Sequence, residues 1–418
     1  MTARPAVFVV GLSLLLLFAS EASAVKRRAF VTSVKGTGDL FSWPGSSGAT
    51  ALARADSVCR ARAAAGGLPN PATYRAWLST STVDAYCHVQ GLSGTHADAC
   101  NGTIQPGGGP WYHFNGATQF TADLSSLTGP EHVVYRPVIF DEFGTAITSF
   151  VGGEYWTGTI SDGSVHTLGV CNDWTSTSGT MTTPVGTALG GSFAWTLITF
   201  GECASENRLL CLEPGASEAD PVAWQPGALV FVTSIQGAGN LQLWPSSNGL
   251  LGLEAGDAIC RNLAAEAHLP SPDTFVAWLS DATTDAVDRL TGNGPYRRLD
   301  GFAIASNKAG LVGGPVLNSI HVSEDFGYLD DQGQTWTGTA AEGLATANHC
   351  DSWTSGNPAD LAGWGFATIS RENGWTNTPL SRDCDSLSRI YCFSNVVTLF
   401  WDGFDYTGDT SRWSSTVP

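Results

Sequence analysis

An α+β fold, arranged as two tandem, loop-rich units stapled by disulfides, is predicted by three features of the 418-residue sequence. The chain repeats itself: Phe30-Val-Thr-Ser-Val-Lys-Gly-Thr-Gly-Asp-Leu returns as Phe231-Val-Thr-Ser-Ile-Gln-Gly-Ala-Gly-Asn-Leu, and the offset of 201 holds through Cys59/Cys260 and Ala76-Trp-Leu-Ser/Ala277-Trp-Leu-Ser. A duplicated unit is the plain explanation, and the period is too long for one layer of a solenoid. Each copy carries one segment of helical periodicity, then short runs rich in Trp, Tyr, Val and Thr between Gly, Asn and Pro, which read as small strands joined by long loops. Finally, the chain holds 10 cysteines, of which four per copy match.

Taken in order, residues 1–24 read as a signal peptide. Arg4 supplies the positive end, Ala6 to Ala19 the apolar stretch, and Ala22-Ser23-Ala24 the small-x-small cleavage pattern. The apolar stretch is shorter than the roughly 18 to 20 residues of a spanning helix. The expectation is a chain without a membrane span, secreted or held at the cell surface or in the periplasm. Leu52, Ala55, Cys59 and Ala63, matched by Leu253, Ile259, Cys260 and Leu263, form the apolar face of one helix per unit, which Leu68-Pro69 and Leu269-Pro270 end. The units are expected at 29–213 and 230–394, with a linker at 214–229 and a tail at 395–418.

In an oxidising compartment an even number of cysteines reads as a disulfide framework. Four matched cysteines allow three pairings, among which sequence alone does not choose. Physical reasoning favours a nested set: helical Cys59 with Cys211 in the closing apolar strand, and Cys171 with Cys203 beneath a long loop, repeated as Cys260 with Cys392 and Cys350 with Cys384. Chain entropy assigns about 5 kcal/mol to the long closure and about 3.5 kcal/mol to the short one. Cys87 and Cys100 lie in an insertion of the first copy and are expected to bridge each other.

Lys+Arg number 20 against Asp+Glu 38, for a net charge of −18. Nucleic-acid partners are therefore not expected, because phosphate-backbone affinity needs clustered cations. Sequence patterns for zinc-protease, phosphate-loop and nucleophile-elbow chemistry are absent, and the eight histidines are mostly unmatched between copies. The expectation is a non-enzyme.

The helix with its Cys, Leu68-Pro-x-Pro-x-Thr-Tyr-Arg-Ala-Trp-Leu-Ser79, Trp156-Thr-Gly-Thr, Cys171-Asn-Asp-Trp174, Gly190-Gly191 and the Cys203/Cys211 spacing together resemble the endostatin branch of C-type-lectin-like domains. The pattern is also similar to secreted bacterial domains of this shape. The resemblance implies two lectin-like domains with nested cysteines. It departs from calcium-dependent sugar-binding lectins, which carry Glu-Pro-Asn or Gln-Pro-Asp, and from the heparin-binding members, which carry surface arginines in a less acidic chain.

Candidate ligand-binding residues are Trp43 and Trp244, each before a proline and suited to stacking on a sugar ring, and Asn172, Asp173, Asp351 and the adjacent Ser352, whose oxygens suit a polar ligand or calcium. Asp141-Glu142 and Glu324-Asp325 form candidate half-sites for a hard cation, so calcium is a possible cofactor. The expected function is a secreted or surface-exposed binding or adhesion protein engaging an extracellular glycan or protein through loop surfaces. The alternatives are a structural envelope-associated protein, and a hydrolase using loop carboxylates such as Asp141 and Glu142.

Overall fold

The computed structural model describes residues 26–130, 132–149, 151–220, 225–370 and 374–399. The expected signal peptide and the tail from residue 400 lie outside the described residues. The chain is α+β. In the first repeat the strands are β1 (Arg27–Val31), β2 (Arg75–Ala76), β3 (Trp111–Tyr112), β4 (Gln119–Thr121), β5 (Glu154–Trp156), β6 (Thr182–Thr187), β7 (Thr199–Glu202) and β8 (Arg208–Leu212). They form a sheet of order β4-β3-β1-β8-β5-β6-β7, with β2 also on β8.

The second repeat contributes β9 (Gly227–Val232), β10 (Phe275–Ala277), β11 (Tyr296–Arg298), β12 (Ala303–Ala305), β13 (Gln334–Trp336), β14 (Leu361–Ala362), β15 (Trp364–Phe366), β16 (Arg382–Asp383) and β17 (Arg389–Thr398). Its sheet runs β12-β11-β9-β17-β13-β15, with β10 on β17 and a separate β14-β16 pair. The central antiparallel pair is the same in both: Phe30 opposes Cys211 and Phe231 opposes Cys392. Strand β9 begins inside the segment expected as linker, and β17 runs to Thr398, into the segment expected as tail.

The long helices are Ala51–Ala65 and Gly252–Glu266. Thr50 caps the first by accepting from the Ala53 N–H at 3.2 Å. It ends where Leu68 N–H bonds Ala63 O and Gly67 takes φ +66, the left-handed ending that glycine permits. The second helix ends in the same way with His268 at φ 52. A carboxylate on each helix, buried in Asp56 and partly buried in Asp257, holds it to the neighbouring strand: Asp56 accepts from Ala76 N–H at 3.0 Å, and Asp257 from Ala277 N–H at 2.9 Å. Arg60, Arg75 and His88 complete the Asp56 cluster, and Arg261 and Arg289 the Asp257 cluster.

The disulfides join Cys59 to Cys211, Cys171 to Cys203, Cys87 to Cys100, Cys260 to Cys392 and Cys350 to Cys384. The nested arrangement favoured from the sequence is thus present in both repeats. Tryptophans fill the cores on the two faces of each sheet. Trp77 packs on Trp195 at 4.8 Å and Trp278 on Trp375 at 5.2 Å, and the Trp77 and Trp278 indoles, each one residue past its strand, donate to the Thr196 and Thr376 hydroxyls. A buried indole N–H without an acceptor would carry a desolvation cost of about 1 to 3 kcal/mol, which these threonines remove.

Candidate functional site

The carboxylates expected to hold a cation are committed elsewhere. Glu142 is fully buried, and it accepts from Ser33 N–H at 2.9 Å, Ser33 Oγ at 2.5 Å and the Arg62 guanidinium. Asp141 closes its own turn by accepting from Phe143 and Thr145 N–H. Glu324 is buried and accepts from Ser234 N–H and Ser234 Oγ, while Asp325 takes the Ser323 hydroxyl. Among the described residues there is no group of three or more His, Cys, Asp or Glu placed to hold a metal ion. In the structure these carboxylates act as anchors: Glu142 is paired with Arg62, and Asp141 closes its turn.

Trp43 and Trp244 are packed rather than exposed. Each ring is buried, at 4% and 5% exposure, and lies across a glycine, Gly36 or Gly237, where a Cβ would overlap it. Their indoles donate to Thr37 O and Ala238 O. Trp244 also borders a cavity of about 310 Å³ with Gln236, Asn240, Leu243 and Pro245.

Asn172, Asp173 and Asp351 are exposed, as a ligand contact requires, but in unexpected backbone. Cys171 through Trp174 take φ values of 50, 53, 51 and 61, and Cys350 through Trp353 values of 49, 51, 51 and 65. Each is a single left-handed turn, costing about 1 to 2 kcal/mol per residue. The disulfide at its start and the buried indole at its end hold it: Trp174 donates to Ser79 O at 2.7 Å and Trp353 to Ser280 O at 2.8 Å. The Asp173 carboxylate is spent on Ser81 N–H and Oγ, and Asn172 on Thr175.

The groups that converge without mutual satisfaction lie where the repeats meet. Gly190 bridges Ile369, Gly191 N–H donates to Thr368 O and Ser370 N–H to Leu189 O. Arg298, wholly buried, pairs with Asp300 at 2.6 Å and crosses to the first repeat, donating to Val134 O at 3.2 Å and Tyr135 O at 3.0 Å. His321 crosses beside it, its Nε2 3.0 Å from Val134 O, and Ser319 Oγ lies 2.6 Å from Nδ1. That pairing assigns the proton to Nε2. Burial, then the Arg298 charge, push the His321 pKa well down, so the ring stays neutral. Tyr328 donates to Asp300, and Tyr135 stacks on Phe302 at 4.9 Å.

Beside this weld are two cavities that share Arg136. One, of about 280 Å³, is lined by Tyr112, Gln119, Arg136, Asp220, Arg297 and Phe302. The other, of about 310 Å³, has apolar walls from both repeats, with His113 and Arg136 as its titratable groups. Arg136 is half-buried; its N–H bonds Phe120 O at 3.4 Å, but its guanidinium makes no hydrogen bond or ion pair to any described residue. Burial lowers its pKa, and Arg298 and Arg297 lower it further. His113 is 2% exposed with neither ring nitrogen in a hydrogen bond of ordinary distance and angle. Burial brings its pKa down to about 4, the Arg136 charge adds to this, and the Arg136 and Pro137 main chain opposes it.

Sequence reasoning missed this site. Arg136, Arg298 and His321 belong to no repeated motif, and the signal they did carry, an unmatched charged or titratable residue in an otherwise matched frame, is visible only after the strands are registered. No protein-family model matches the chain, and no curated protein aligns with it.

Two outcomes follow from these environments. Glu142→Gln is expected to cost about 2 to 3 kcal/mol in urea unfolding at neutral pH, because it strands Arg62. Glu324→Gln is expected to cost less than about 1 kcal/mol, because Leu263 stands where the first repeat has Arg62, and burial already raises the Glu324 pKa. Equal costs would contradict the pairing. For pH, a histidine whose folded pKa is depressed contributes stability that is complete above its unfolded value of about 6.5 and is lost as pH falls below it. Stability is expected to decline from pH 6.5 toward 4, and His321→Asn is expected to shallow that decline; an unchanged slope would place His321 outside it.

Proposed function

We propose that this chain is an exported, non-catalytic binding protein, built of two endostatin-like, C-type-lectin-like repeats, that recognises an acid-bearing glycan or protein at the seam between them. The observation that carries the reading is Arg136, a half-buried cation without a counter-ion among the described residues, in a chain of net charge −18. Burying a charge is costly unless it is paired. With 38 acidic residues available in the sequence and none of the described ones paired to this guanidinium, the missing partner is assigned to a ligand.

The lectin-like part of the reading is supported by the nested disulfides, the long helix tied to the second and last strands of its repeat, and the buried Trp156 and Trp336. Fold alone does not fix function, so the seam rather than the resemblance carries the ligand class. Export is supported by five disulfides, which persist in oxidising compartments. Among the described residues no helix is long and apolar enough to cross a membrane. Because both repeats line the seam, recognition needs the two copies together, a stricter requirement than avidity between independent sites.

The test is an array of uronate-bearing, sialylated and neutral glycans probed with the oxidised chain, with calcium and with chelator. Saturable, chelator-insensitive binding to the acidic members, at least tenfold weaker in Arg136→Gln, is expected. Binding confined to neutral glycans, or lost in chelator, would overturn the reading.

A further inference from the structure

We propose that the 310 Å³ cavity at the seam is a binding site for a small amphiphilic carboxylate, its acid group meeting Arg136 and His113 and its apolar body lying between the repeats. The inference rests on the seam being the ligand site, and names the chemistry that fits there.

Strand register explains why a cavity exists at this place. Trp111 and Tyr112 pair with Arg27 and Arg28 as Tyr296 and Arg297 pair with Ala228 and Leu229, so His113 occupies the position of Arg298. The bridges Phe140–Ala146 and Val322–Tyr328 align the next segment, so Val316 and Leu317 occupy the positions of Val134 and Tyr135. On one side of the seam, Arg298 spans the gap to Val134 and Tyr135 and fills it. On the equivalent side a histidine stands in place of the arginine, and a cavity lies between His113 and the Val316-Leu317 segment. At about 310 Å³ the cavity sits at the low end of the roughly 300 to 1,000 Å³ of small-molecule sites.

The lining states the ligand. Ile139, Phe140, Ile147 and Leu189 of the first repeat and Val316 and Leu317 of the second offer apolar walls. Phe140 packs edge-on against the His113 ring at 5.4 Å. Beside Thr148 and Ser370, the polar groups of the lining are the His113 imidazole, neither nitrogen of which makes a hydrogen bond of ordinary geometry, and the Arg136 guanidinium, which lacks a carboxylate. No described acid lines the cavity, so a cationic ligand would face Arg136 unshielded. A carboxylate supplies the counter-charge in the fork geometry that arginine prefers, and an alkyl or aryl body covers the walls at about 25 cal/mol per Å² of buried apolar surface. A bare inorganic anion would leave those walls wet.

The probe is octanoate, with octanol as the same body without the charge, titrated calorimetrically into the oxidised chain. Octanoate is expected to bind saturably, octanol at least tenfold more weakly. Arg136→Gln is expected to weaken octanoate tenfold or more and leave octanol unchanged. Leu317→Trp closes the mouth at a half-exposed position where folding is not at stake, and is expected to abolish both. Absence of octanoate binding, equal affinity for the two probes, or indifference to Arg136→Gln would each overturn the inference. Should octanoate fail while acidic glycans still bind through Arg136, the ligand class falls and the wider reading stands; failure of both probes removes both.

Discussion

Arg298 is the constraint on which the arrangement of the two repeats depends. Its guanidinium has no exposure to water, and its donors are divided between Asp300 and Ser319 O in its own repeat and Val134 O and Tyr135 O in the other. A buried charge is tolerated only when its hydrogen bonds are met, and removing one partner costs about 3 to 5 kcal/mol, because the other charge remains buried and unpaired. Separating the repeats would strip the guanidinium of two acceptors and leave His321 without Val134 O. The seam is thus held as a core is held.

The reciprocity of the contact gives that weld its context. Gly190 bridges Ile369, its own counterpart in the second sheet, since Val185 and Trp364 pair with the matched Trp156 and Trp336. Each repeat also presents the same segment, 134–135 or 316–317, toward position 298 or 113 of the other. This is the geometry of an isologous dimer interface, written into one chain. Divergence within it distributes the roles: arginine on one side supplies cohesion, and histidine on the other leaves space with polar groups unspent. Sites for small ligands occur preferentially at such junctions.

Much of the fold was legible in the sequence because it repeats, and much of the site was not because it does not. Cys59/Cys260 and the helical pattern around them led to the clamped helix, and the run of Trp, Val and Thr segments led to the strands. The matched pair Asp56/Asp257 stood at the same offset of 201 as the cysteines, and its role in tying helix to strand was there to be seen. Trp43 and Trp244 are packed, although a tryptophan before a proline in a glycine-rich loop suggests exposure. The glycines that made the loop look open are the flat surfaces on which the rings lie. Asp141-Glu142, as adjacent acids, suggest a cation, whereas the strand-and-turn geometry turns one inward to Arg62 and spends the other on its turn. The left-handed turns at Cys171 and Cys350 carry no sequence signature, since non-glycine residues adopt them only under tertiary constraint. Arg136 was illegible because an unpaired cation is defined by what is missing around it in space.

The central claim, that one buried seam makes the two repeats a single cooperative body, is tested most directly by calorimetric unfolding of the oxidised chain at neutral pH. The account predicts one transition whose van't Hoff and calorimetric enthalpies agree. Two separable transitions, each reproduced by one repeat expressed alone, would contradict it.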